Sequence, residues 1–111
     1  MTTRRNAGLG LTVDFFHSWW DPDFAGVFSG SLDLVRLVQI CNVVTLGDAE
    51  RFHREDLESG LMDVREALAD IATRGYRGYF EFEMLPEQLR GRSAAAVISA
   101  VGKQYAALTR P

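Results

Sequence analysis

Five polar side chains stand where the chain is otherwise apolar, and they are the ones that could do chemistry. Asp14 and His17 close a first apolar run, Gln39 lies inside a second, and Glu81 and Glu83 lie in a third. Glu81 and Glu83 share a face, because side chains of a strand alternate. An Asp, a Gln and a Glu in buried strands need compensation, since an unpaired buried charge or amide is costly. Shared coordination of a divalent cation is one way to supply it. A set made of oxygen donors favours Mg²⁺ or Mn²⁺ over a thiolate-seeking ion, with zinc and cobalt also open. A purely structural account stands beside this one. Asp14 could cap the following turn, His17 could be a satisfied loop histidine, and Gln39 could bond to backbone.

The elements that would position these residues are legible as runs and stripes. Residues 9–16 form an apolar, β-branched run suited to a strand buried on both faces. Pro22, Gly26 and Gly30 make the next segment loop, with at most a short helix carried on through 31–34. A second buried strand is expected over 36–44, and the charged stretch 45–60 reads as a surface loop. Leu61, Val64, Leu68 and Ile71 recur at spacings of three and four, predicting an amphipathic helix that Gly75 ends. A third strand is expected over 79–85, and Val97, Ile98, Val101, Tyr105 and Leu108 mark a closing helix. Strands separated by crossover segments imply parallel pairing, so the expectation is an α/β chain of three βα units forming one domain, 1–111.

Composition narrows the function classes. With 47% hydrophobic and 24% charged residues among 111, a packed core is expected. A net charge of −3 gives no electrostatic reason to bind nucleic acid, and Arg4 and Arg5 read as a solvated terminus. No apolar run is long enough to span a bilayer and the N-terminal residues lack a signal-peptide stretch, which points to a cytoplasmic protein without membrane contact. The lone Cys41 sits in an apolar run and reads as a small buried residue rather than a nucleophile.

The stretch Val13-Asp14-Phe15-Phe16-His17-Ser18-Trp19-Trp20-Asp21-Pro22 resembles the D-x-x-H-x-W-W-x-P signature of sugar phosphate isomerase/epimerase proteins of the xylose-isomerase-like TIM-barrel superfamily. The resemblance continues through Val38-Gln39-Ile40-Cys41-Asn42 and through Gly75-Tyr76-Arg77-Gly78-Tyr79-Phe80-Glu81-Phe82-Glu83, similar to the family's G-Y-x-G followed by a strand ending in a ligand Glu. It implies a partial TIM barrel, the C-terminal three βα units of a (β/α)₈ fold, because a complete barrel takes about 250 residues. It implies that Asp14, Gln39 and Glu83 match metal ligands and that His17 contacts a substrate oxygen. Trp19 and Trp20 would wall the pocket, and Arg51 would be the arginine retained from the loop after the second strand. The implied chemistry is metal-assisted isomerisation, epimerisation or a related lyase step on a sugar, polyol or keto sugar.

The chain also departs from that pattern. The family's fourth ligand, a Glu on an earlier strand, and the general base have no counterpart, so no catalytic residue is assigned. Asn42 stands where many relatives have Asp. Three parallel strands leave sheet edges and a face open, which implies self-association or a separate N-terminal barrel chain. The alternative to an enzyme is a non-catalytic assembly or binding module derived from the barrel.

Overall fold

The computed structural model describes residues 8–110, so Arg4 and Arg5 lie outside the described residues. Strand β1 (Leu11–Asp14) runs into a single turn of helix, α1 (Phe15–Ser18). After a loop come α2 (Gly26–Gly30) and a 3₁₀ turn (Leu32–Leu34), which lead into β2 (Val35–Ile40). Two further strands, β3 (Asn42–Leu46) and β4 (Asp48–Glu55), precede helix α3 (Val64–Thr73). Strand β5 (Tyr79–Phe82), a 3₁₀ turn (Pro86–Leu89) and helix α4 (Ala94–Leu108) complete the order.

The main sheet has the order β1-β2-β5, all parallel. Val13, Val38 and Phe80 share one cross-strand row, and Ile40 and Phe82 another, both on the face that packs into the core with Phe15, Phe28, Leu68, Ile71, Val97 and Val101. The opposite face carries the alternate residues, a row of Thr12, Leu37 and Tyr79 and a row of Asp14, Gln39 and Glu81. Tyr79 is 83% exposed there.

Both packing helices begin on side-chain caps. The Asp63 carboxylate accepts from the Glu66 N–H at the start of α3, and the Ser93 hydroxyl accepts from the Ala96 N–H at the start of α4. Leu61, expected to open the stripe of α3, precedes this cap and is exposed. Gly75 follows the helix at φ +104°, a left-handed conformation that suits glycine.

The expected architecture of three βα units of a partial TIM barrel, with only loop between the second strand and its helix, is not the one observed. A separate two-stranded antiparallel sheet, β3-β4, stands between β2 and α3, and the first crossover holds only short turns of helix. The second strand ends at Ile40 rather than near Val44, and the chain leaves the sheet at Cys41. Gly47, at φ +59°, then turns β3 back into β4. The charges that made 45–60 look like loop are accommodated because the turn end of this ribbon reaches into solvent while the charges at its other end find ion-pair partners. Arg51 and Phe52 are exposed, whereas Arg54 and Glu55 turn inward.

Two polar hubs anchor the ribbon. Asn42, 1% exposed, donates from Nδ2 to the carbonyls of Leu57 and Met62 at 3.1 and 3.0 Å. Its Oδ1 accepts from the N–H groups of Val43 and Met62 at 2.8 and 2.9 Å, so all its main hydrogen-bonding capacity is used on the 57–62 segment and its own strand. Buried Glu55 accepts from Arg90 and forms an ion pair with Arg92 at 3.0 Å, tying the end of β4 to the segment before α4.

Candidate functional site

The parallel register sets the polar row. Asp14 on β1 is the partner of Gln39 on β2, and Gln39 is the partner of Glu81 on β5. Glu83 follows β5 and extends its ladder, its N–H donating to the Ile40 carbonyl at 3.3 Å. All four side chains therefore stand at the C-terminal ends of parallel strands, where the ligand-facing groups of such sheets collect.

Gln39 joins the two glutamates. Its Nε2 donates to Glu81 Oε1 at 2.9 Å and to Glu83 Oε2 at 2.6 Å. On the other flank, Asp14 Oδ1 accepts from the Phe16 N–H at 2.9 Å, which caps α1 as the structural account anticipates. Asp14 Oδ2 accepts from Arg54 at 2.9 Å, and His17 Nε2 lies 3.7 Å from the same oxygen. His17 itself is exposed.

Arg54 is the residue that sequence reasoning missed. Its buried guanidinium crosses from β4 to Asp14, lies 4.4 Å over the Phe16 ring, and leaves its Nε without a hydrogen-bond partner among the described residues. The arginine singled out from the sequence, Arg51, sits exposed three residues earlier on the same strand. Position along β4 separates them, since Arg51 lies toward the Gly47 turn and Arg54 at the buried end opposite Val43, a placement hidden while the segment read as loop.

Cys41 reports how closely these groups converge. Its thiol is fully buried and is pushed up to about 12, first by burial and then by the Asp14 carboxylate, with Arg54 pulling it down and Glu83 adding to the rise. One sulfur thus lies within electrostatic reach of Asp14, Arg54 and Glu83 together. The aromatic residues are split. Trp19 is half-buried and packs edge-on against Phe52 with ring centres 5.4 Å apart, while Trp20 is 66% exposed.

For a divalent ion, the donor chemistry fits and the present arrangement is already self-satisfied. Among the described residues no group of three or more His, Cys, Asp and Glu side chains is placed to hold a metal. Asp14, Glu83 and the Gln39 amide oxygen would make an all-oxygen set of the kind hard cations take. Holding an ion requires Gln39 to turn its amide over and Asp14 to share the oxygen that now accepts from Arg54.

The fold has a solved counterpart. The crystal structure of protein SMc04130 from Sinorhizobium meliloti 1021 superposes with a TM-score of 0.72 at 23% identity, covering 96% of this chain and 40% of that one. The chain thus spans about two-fifths of its counterpart's length, and at this identity the likeness is one of fold. No protein-family model and no curated protein matches the chain. Among the described residues no helix is long and apolar enough to cross a membrane.

Proposed function

We propose that the polar row at the C-terminal ends of the parallel strands binds a divalent cation (Mg²⁺, Mn²⁺, Zn²⁺ or Co²⁺) together with a polyhydroxylated ligand, a sugar, polyol or keto sugar. The activity is metal-assisted isomerisation or epimerisation of the sugar phosphate isomerase kind in a cytoplasmic setting, completed by strands from a partner. The observation that carries this reading is the convergence of Asp14, Gln39, Glu81 and Glu83 in register on three adjacent strand ends.

Asp14, Gln39 and Glu83 would hold the cation, which when bound supplies Lewis-acid polarisation of a carbonyl or hydroxyl oxygen. The exposed imidazole of His17, beside Asp14, is available to hydrogen-bond a ligand hydroxyl. Glu81, exposed at the β5 edge, is free to accept a proton or a hydroxyl hydrogen bond once Gln39 turns over. Trp20 offers a ring face to the apolar side of a sugar.

A second reading, a non-catalytic binding or assembly module, is favoured by one specific observation. Arg54 already neutralises Asp14, and Gln39 already donates to both glutamates, so each of these side chains has a partner within the chain.

The deciding experiment is Mn²⁺ titration followed by electron paramagnetic resonance on the chain and on Asp14→Asn and Glu83→Gln. One bound ion, lost in both variants and tightened by a polyol, supports the first reading. Failure to bind Mn²⁺ at millimolar concentration, with both variants folded, refutes it and leaves the second.

A further inference from the structure

Asp14 already holds a cation, and that cation belongs to the chain. Its Oδ1 accepts from the Phe16 N–H at the start of α1, so Oδ2 is the oxygen more open to a metal ion. Oδ2 accepts from Arg54 at 2.9 Å, with the side chains of Asp14 and Arg54 only 12% and 9% exposed. A divalent ion and a guanidinium repel each other strongly at one carboxylate oxygen where so little water screens them. An ion therefore gains Asp14 as the guanidinium gives it up.

The hold on Arg54 is one-sided. Arg54 enters from β4 opposite Val43, and its guanidinium lies 4.4 Å over the ring of Phe16. Its Nε is buried and has no hydrogen-bond partner among the described residues. A buried donor without a partner is destabilising, and the attraction of Asp14 offsets it. Once an ion takes Oδ2, the ion pair that keeps the guanidinium inside is lost and Nε gains by reaching water. His17, with a side chain 71% exposed and its Nε2 3.7 Å from the same oxygen, marks the side of Asp14 that lies close to solvent.

We infer that Arg54 is a built-in competitor for the cation, occupying Asp14 Oδ2 until a divalent ion takes that oxygen and releases the guanidinium. It lowers ion affinity, and it couples the β3-β4 ribbon that carries it to the state of the polar row. This role rests on the cation-binding reading.

The test compares the Mn²⁺ affinity of the full chain, read by electron paramagnetic resonance, with that of Arg54→Gln, which removes the charge and keeps a polar amide. Removing a cation this close to a carboxylate should tighten binding by about tenfold or more. An ion bound by the variant and not by the parent is the extreme of the same result. A parent that binds Mn²⁺, with a folded variant that binds it equally or more weakly, overturns the inference alone. A parent and a folded variant that both bind none overturn it together with the reading it rests on.

Because the substitution opens a buried ion pair and can unfold the chain, the parent supplies an independent measurement by nuclear magnetic resonance. Its Arg54 Nε–H signal should shift and lose protection from solvent exchange as Mg²⁺ is added to the level that displaces bound Mn²⁺. A signal that stays in place and protected at that level overturns the inference as well.

Discussion

Replacing Asn42 probes how the ribbon is held against the parallel sheet. In Asn42→Ala the two amide donors to Leu57 and Met62 and the two interactions received from Val43 and Met62 all disappear in a site that is 1% exposed. A net hydrogen bond is worth about 1 kcal/mol, and a stranded buried partner costs about 1–3 kcal/mol, so the loss is about 4 kcal/mol. Asn42→Asp keeps the accepting oxygen and loses both donors, setting a carboxylate oxygen against two carbonyls. The cost at neutral pH is about 3 kcal/mol.

The sign of the pH dependence follows. The introduced carboxyl resists ionisation in the folded chain, so its folded titration point lies above the unfolded value of about 3.9. The penalty is small below that pH, where the protonated carboxyl again donates to one carbonyl, and grows as pH rises through the folded value. Urea denaturation followed by circular dichroism at neutral pH and near pH 4 measures both variants. An alanine variant within about 1 kcal/mol of the parent would refute the reasoning, because the loss of buried partners alone exceeds that.

Other outcomes follow from the groups around Cys41 and Asp14. Because the thiol rises from 9.0 to about 12 on folding, it should resist alkylation in the native chain and react once the chain is unfolded in urea. The same shift makes stability fall as pH rises from about 9 towards about 12, by about 1.4 kcal/mol per unit, and Cys41→Ala should flatten that fall. Arg54→Met leaves Asp14 partly buried without its cation and should cost about 3 kcal/mol, read from thermal or urea melts. The double variant Asp14→Asn with Arg54→Met should recover part of that loss; additive losses would show that the pair does not interact.

The three parallel strands were legible because each is a short apolar run with β-branched residues, and a strand's alternation placed Glu81 and Glu83 on one side without any structure. Asp14 and Gln39 were legible as polar residues breaking such runs. The ribbon was hidden because Arg51, His53, Arg54, Glu55 and Asp56 crowd one segment, and charge density reads as loop. What the sequence conceals is that Glu55 is neutralised from 35 residues away by Arg90, and Asp14 from 40 residues away by Arg54. Those pairings turn charged residues into interior ones. Leu61 misled in the opposite sense: it continues the helical stripe, yet Asp63 caps the helix after it.

The crossing from β2 to β5 also orders events in time. The ribbon closes through a tight turn at Gly47, whereas Gln39 meets Glu81 only after 42 residues of chain have been brought round. Local pairing forms on the microsecond scale of hairpins, and the long closure is slower because its entropy must be given up before any contact rewards it. Asn42 opens β3 one residue after β2 and, with Gly47, starts the rapid part, so Arg54 can be carried into place before the last strand docks. The polar row is then among the last parts of the molecule to assemble, and a chain caught before that step shows β5's intended neighbour, Leu37 to Ile40, as a bare strand edge with Gln39 unpaired from its glutamates.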